Sequence, residues 1–319
     1  MEPKRTMLAS QDGIALLMVL WALTILSAIV FSFTLMARTE VYATASFRAM
    51  AANRLLAEAG VERSIMELLY RNANKGQTTV PEGGDPVLVD GTLYAGRMNK
   101  GLYTFRITDE SGKIPLNALT DATGVVLKNL IVNMGYSQED ADTVVDSILD
   151  WMDQDELHRL HGAESEYYMS LPNPYKAKNG PFDTLDELLL VKGVTPAMLY
   201  GTHTTKGIIS YLTVSTNATT INVNAAPREV LMAVPGMDPA KADVFLLQRQ
   251  AIQAQDLAAI LGEKLPPFLG TTASSVFCIE ATGNREGAPV GYGVRAIVSL
   301  EGDAGYRYLY YKSPAQVTP

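Results

Sequence analysis

From Ile14 to Ala37 the chain reads IALLMVLWALTILSAIVFSFTLMA, 24 residues without a charged side chain, and Arg38 is the first ionisable group after it. At about 1.5 Å per residue such a helix reaches about 36 Å, enough to cross a hydrocarbon core of about 30 Å with some tilt. A secretory signal has an apolar region of only about 7–15 residues, closed by a small-residue cleavage site. Here the run is longer and no clear Ala-x-Ala site ends it; a helical pattern continues through VYATASFRAMAANRLLAEAGVERSIMELL, where Gly60 is the first Gly or Pro. The spacing predicts one helix from Ile14 to about Tyr70. Its first half is apolar all round. Its second half sets Leu55, Leu56, Ala59, Ile65, Met66 and Leu69 against Arg54, Glu58, Glu62 and Arg63, a pattern with one apolar face. The helix thus changes solvent midway, with residues 14–37 as a transmembrane segment. Lys4 and Arg5 ahead of it favour a cytoplasmic N-terminus, which places the bulk of the chain on the opposite side. The alternative reading of this segment is a plain bitopic protein with an uncleaved signal anchor.

The remaining sequence predicts an α+β fold. Asn72 to Pro86 is rich in Gly, Pro and polar residues and reads as a loop. Short β-prone runs follow in VLVDG, TLYAGRM and LYTFRITDE, then helix signals from about Ala118 to Tyr200, then strands in GIISYLTVST, VFCIEATG, GVRAIVSLE and YRYLYYKS. An antiparallel sheet interrupted by an inserted helical domain explains this order. The net charge of −8 argues against a nucleic-acid surface, which needs clustered Lys and Arg. Cys278 is the sole cysteine, so an intrachain disulfide, a Cys-based zinc site and a redox pair are all excluded.

Two local patterns stand out. Val191-Lys192-Gly193-Val194-Thr195-Pro196-Ala197 and Val234-Pro235-Gly236-Met237-Asp238-Pro239-Ala240 repeat one theme. Thr195 and Asp238 read as N-caps, Pro196 and Pro239 as first helical residues, and each Gly as a sharp turn. The elements are helix-hairpin-helix-like, but Lys192, Lys241 and Arg249 are few for binding DNA. The second pattern is acidic. Asp150, Asp153, Asp155 and Glu156 lie close together, and Glu164 and Glu166 follow a loop containing Gly162. Oxygen ligands from a loop and its flanks suit Ca²⁺, although the spacing is not that of an EF-hand. His158 and His161, spaced to share a helical turn, form no HExxH motif with a glutamate, and His203 is isolated. No GxSxG, GxGxxG or P-loop occurs, so nothing proposes an enzyme.

The apolar helix behind a short leader that ends in Gly13 resembles type IV pilins and type II secretion pseudopilins. DESGKIPLNAL, the stretch from DWMDQD to VKGV, and INVNAAPREVLMAVPGM resemble the K-type minor pseudopilin of type II secretion. The resemblance implies a pilin-like long helix packed on an antiparallel sheet with a large helical insertion. The leader 1–13 would be cut after Gly13 by prepilin peptidase and Ile14 methylated. Residues 38–112 and 208–319 would form the pilin-like domain, the latter with a helical segment at about 225–262, and 113–207 the insertion. Most pseudopilins carry Glu at the fifth mature position, thought to neutralise a neighbour's terminal amine. This chain has Met18 there, and the K-type is the member that lacks the Glu, which implies a place at the pseudopilus tip, where no neighbour lies ahead. It further implies an inner-membrane protein with a periplasmic bulk. Implied partners are the I-type and J-type minor pseudopilins, with the H-type and major pseudopilins, and no nucleic acid. Calcium is implied too, with Asp150, Asp153, Asp155, Glu164 and Glu166 as candidate ligands. The competing readings are a membrane-tethered module holding DNA through its hairpins, and a calcium-dependent enzyme.

Overall fold

The computed structural model describes residues 12–74, 87–202, 204–216, 218–248, 266, 268–286, 291–302, 305–315 and 317. Most of the leader, residues 75–86 of the predicted loop, His203, and Arg249 with the rest of the expected helical segment to residue 262 lie outside the described residues.

Helix α1 runs unbroken from Asp12 to Ala73, 62 residues. Every residue from Ile14 to Arg48 is exposed, whereas Asn53, Leu56, Ala57, Gly60, Val61, Ser64, Ile65 and Leu68 are buried. The buried stripe is rotated from the expected one, since Leu55 and Met66 face outward. Small residues decide this rotation, because they let the helix lie close on the sheet. A Cβ at Gly283 would collide with Asn53 O, and one at Gly60 would sit 3.0 Å from Ala281 Cβ.

The sheet has the order β1-β2-β7-β8-β9 with antiparallel neighbours throughout: β1 Tyr94–Met98, β2 Gly101–Asp109, β7 Val276–Arg285, β8 Tyr292–Glu301 and β9 Gly305–Lys312. β2 pairs with β7 in register from Gly101↔Arg285 to Asp109↔Phe277, although the helical unit separates them in sequence. Alternation puts Phe105, Ile107, Ile279, Ala281, Val294, Ala296 and Val298 in one core with Ala57, Val61, Ile65 and Leu68 of α1. On the other face Val276, Cys278 and Ile297 form a smaller cluster with Tyr310. Of the expected strand VLVDG, only a bridge from Asp90 to Thr108 exists, for Gly91 at φ 88° turns the chain away.

The helical unit leaves the sheet after Asp109 and returns at Val276. It contains β3 Ile114–Pro115, α2 Gly124–Asn133, α3 Gln138–Met152, α4 Ser165–Met169, α5 Pro196–Tyr200, β4 Leu212–Thr213, β5 Ile221–Asn222, α6 Arg228–Ala233, α7 Pro239–Gln248 and β6 Leu269–Gly270. Its short strands pair in parallel, β3 with β4 and β5 with β6. The unit is thus less helical than expected, with irregular stretches on both sides of α4. The expected strand GIISYLTVST is also corrected. Ile208–Ser210 is a 3₁₀ turn and just Leu212–Thr213 is extended, because Ile208 and Leu212 both point into the helical core.

One apolar cluster extends from Ile114 and Leu116 through Leu127, Leu130, Ile148 and Leu188 to Val230, Phe245 and Leu269. Described residues beyond the expected limit at residue 207, among them Val230, Phe245 and Leu269, pack in this same cluster. The expected segment at 225–262 begins as two helices, α6 and α7, with the turn Val234–Asp238 between them.

A buried polar junction joins the two units. The Asp109 carboxylate accepts from Ser111 N and Oγ at 2.8 and 2.7 Å and from Ser274 Oγ at 2.9 Å, and Glu110 pairs with Lys113 beside it. Both predicted N-caps form: Thr195 Oγ1 accepts from Met198 N at 3.2 Å and Asp238 Oδ1 from Lys241 N at 2.9 Å. Gly193 and Gly236 make the turns at φ 85° and 81°.

Candidate metal centre

Helix α3 is capped by Ser137, whose hydroxyl accepts from Asp140 N, and buries Ala141, Val144, Val145, Ile148 and Leu149 against its neighbours. Its last turn carries Asp150, wholly buried, and Asp153 caps its C-terminus. The chain then loops outward and returns at Glu164, just ahead of α4. His158 and His161 lie on this loop and not on a helical turn as expected. Their Nδ1 atoms lie 3.0 Å from Arg159 O and 3.2 Å from Asp146 Oδ2, so they do not join the carboxylates as zinc ligands would.

One oxygen each from Asp150, Asp153 and Glu164 falls within 4.8 Å of the others. Asp155 and Glu166, expected with them, are outside this group. Asp155 Oδ1 accepts from Leu157 N at 2.8 Å, and Glu166 is exposed in the first turn of α4. The loop is folded inside out relative to a solvated acidic turn. Arg159 N donates to Asp150 Oδ1 and Oδ2 at 3.2 and 3.1 Å, and its Nη1 reaches Asp150 Oδ1 and Asp153 Oδ2, each at 2.7 Å. Its Nε donates to Asp121 Oδ1 at 2.9 Å. Leu157 and Leu160 point into solvent. Gly162 is needed because a Cβ there would collide with Asp150 Oδ2.

Lys192, in the first hairpin turn, donates to His161 O at 3.1 Å and Gly162 O at 2.9 Å and lies over the Tyr167 ring. Lys241 of the second hairpin donates to Gly236 O at 3.0 Å. Both hairpin lysines are thus committed to carbonyls within the chain. Trp151, next to Asp150, meets Tyr168 and Tyr175 edge-on and stacks on Phe182, and Tyr168 stacks on Tyr175.

Glu164 is 3% exposed, and neither of its oxygens receives a hydrogen bond. Asp153 Oδ1 and Asn179 Oδ1 are buried without one as well. Burial, then the charges of Asp150, Asp153, Glu156 and Asp155, push the Glu164 carboxyl up to about 7. Burial also raises Asp150, outweighing the hydrogen bonds from Arg159. Buried anionic oxygens without donors are costly unless a proton or a cation joins them. The donor set is all oxygen and comes from a loop and its flanks, which fits a hard, irregularly coordinated divalent ion such as Ca²⁺. The carboxylates were legible in the sequence. The roles of Arg159, Asn179 and Lys192 were not, since no spacing rule ties them to the acidic residues.

The family described as "Type II secretion system (T2SS), protein K" matches residues 112–201, which contain the acidic loop. A putative type II secretion system protein K of Escherichia coli K12 is 27% identical over 192 residues, spanning 58% of this chain and 58% of its own length. The type II secretion system protein K of Klebsiella pneumoniae is 26% identical over 259 residues, 77% of this chain and 75% of that protein. Among solved structures, a chain of the GspK-GspI-GspJ complex from enterotoxigenic E. coli superposes with a TM-score of 0.55. The superposition covers 88% of this chain and 100% of that one at 14% identity, so it speaks for the fold alone. The long helix, the antiparallel sheet and the further helices are thus those of the K-type fold, as the resemblance implied.

Proposed function

We propose that this chain, a relative of protein K of the type II secretion system, is a minor pseudopilin seated at the tip of the pseudopilus. There it would help initiate assembly and aid export of folded proteins through the outer membrane. The observation that carries this reading is α1. One unbroken helix has a first half that is apolar and wholly exposed and a second half that forms the core of a sheet. A soluble protein has no use for such an exposed half; a membrane anchor that passes into a helical bundle does. The reading places that half in the inner membrane and the rest in the periplasm.

The helical unit supports a terminal position, since so bulky a unit would crowd subunits stacked along a thin fibre. Met18 supports it too: a subunit with no neighbour ahead has no terminal amine to neutralise, and a carboxylate there would be buried unpaired. The similar solved chain lies in a complex with GspI and GspJ, which supports I-type and J-type partners here. H-type and major pseudopilins and prepilin peptidase complete the partner set in this reading.

A calcium ion belongs to the same reading. Asp150, Asp153 and Glu164 would hold it, and it would supply positive charge to these buried carboxylates. Asp155 adds charge nearby without pointing in, and Glu166 stays on the surface. No chemical step on a substrate is assigned to the site.

The N-terminus tests the processing. Mass spectrometry of the protein from cells with prepilin peptidase is expected to show cleavage after Gly13 and one added methyl group on Ile14. Without the peptidase the leader stays. An intact Met1 in both, or cleavage far from Gly13, overturns the reading.

A further inference from the structure

Among the described residues, Arg159 is the cation paired with the buried carboxylates of the candidate metal centre. Its Nη1 lies 2.7 Å from oxygens of both Asp150 and Asp153, two members of the group of three that includes Glu164. Its Nε holds Asp121 at 2.9 Å, and Asp121 is itself 78% exposed. The guanidinium therefore has two sets of partners, one inside the site and one at its rim. A divalent ion that entered among Asp150, Asp153 and Glu164 would meet a positive charge already held by two of these three carboxylates, and two cations so close repel one another.

We propose that Arg159 is the resident counter-cation of this site: it neutralises Asp150 and Asp153 while no metal is bound and competes with the incoming ion. On calcium binding it withdraws to its outer partner, Asp121. The proposal rests on the calcium reading and deepens it, for it makes calcium affinity a difference between two cations and not a property of the carboxylates alone. The chain geometry is consistent with such an exchange. The hold on the loop does not depend on the guanidinium, because the backbone N–H of Arg159 also donates to Asp150, and Lys192 fastens the carbonyls of His161 and Gly162 from outside the site. The loop can stay closed while the side chain moves.

The test is calorimetric titration of calcium into the full-length chain, purified in detergent and stripped with chelator. Arg159→Gln is expected to bind calcium at least about tenfold more tightly than the unaltered chain, because the competing charge is gone. It should also melt at a lower temperature when metal-free. Asp121→Asn, a change at the exposed rim, is expected to weaken calcium binding, since the displaced guanidinium loses its outer partner. Arg159→Lys covers the case in which the Gln variant fails to fold. A lysine retains the charge but cannot bridge two carboxylates in one plane, so it should tighten binding by less. Equal or weaker calcium binding by folded Arg159→Gln or Arg159→Lys overturns the proposal and leaves the calcium reading standing. If neither the unaltered chain nor any variant binds calcium, the calcium reading itself fails and takes the proposal with it.

Discussion

A carboxylate as deeply buried as that of Glu164, receiving no hydrogen bond, is stable only with a proton or a cation beside it. The sign of its pH dependence follows. Its folded value of about 7 lies above the ordinary 4.5, so between these values the native state holds a proton that the unfolded chain has released. Metal-free stability should therefore fall as pH rises from about 5 to about 7, by on the order of 2–3 kcal/mol. Thermal unfolding in excess chelator is expected to show this fall, and Glu164→Gln to remove it. Added calcium at pH 7.5 should raise the melting temperature of the unaltered chain and leave Glu164→Gln nearly unmoved. An equal calcium shift in both would remove Glu164 from the site. Gly162→Ala drives a methyl into Asp150 Oδ2 and should destabilise by about 1–3 kcal/mol with calcium binding lost. At this scale the sequence disclosed which residues were acidic. It did not disclose which would be turned inward, because that depends on Arg159 and on backbone packing at Gly162.

Elements were legible where a single period governs them. β2 alternates in burial from Phe105 to Asp109, β7 and β8 form as expected though Cys278–Ile279 and Ala296–Val298 are buried on both faces, and the caps at Thr195 and Asp238 sit where Ser, Thr, Asp and Pro chemistry puts them. Thr195→Ala should cost about 1 kcal/mol in the helical unit, read by denaturant unfolding. The two-residue strands β3 to β6 carry no period at all. The buried stripe of α1 differs from the expected one because hydrophobicity favours Leu55 and Met66, whereas the sheet accommodates the small Ala57, Gly60 and Ser64, and Asn53 Oδ1 accepts from Arg285 N at 2.7 Å. Gly283→Ala tests that account. Its methyl would strike the backbone at Asn53 and Ala57, so α1 must lift from the sheet at a cost of about 2–4 kcal/mol, seen in unfolding of the detergent-solubilised chain. A change below about 0.5 kcal/mol would mean that the helix and sheet are not in close contact there.

The described residues form two main cores on one backbone: a sheet closed by α1, and a helical unit carrying the buried carboxylate cluster, joined at the polar knot around Asp109 and Ser274. The interrupted sheet was visible in the sequence as strands before and after a helical stretch. The far boundary of the insertion was not, since Val230, Phe245 and Leu269 contribute to the helical core from a region whose text reads as short strands and helices alike. The central claim is that α1 anchors a tip subunit which assembles with the I-type and J-type pseudopilins of its own system. It is tested most directly by co-expressing the three full-length chains with prepilin peptidase, purifying through a tag on this chain, and weighing the product by native mass spectrometry. The account predicts a complex holding one copy of each chain. Recovery of this chain alone, or in repeated copies along a fibre, would contradict it.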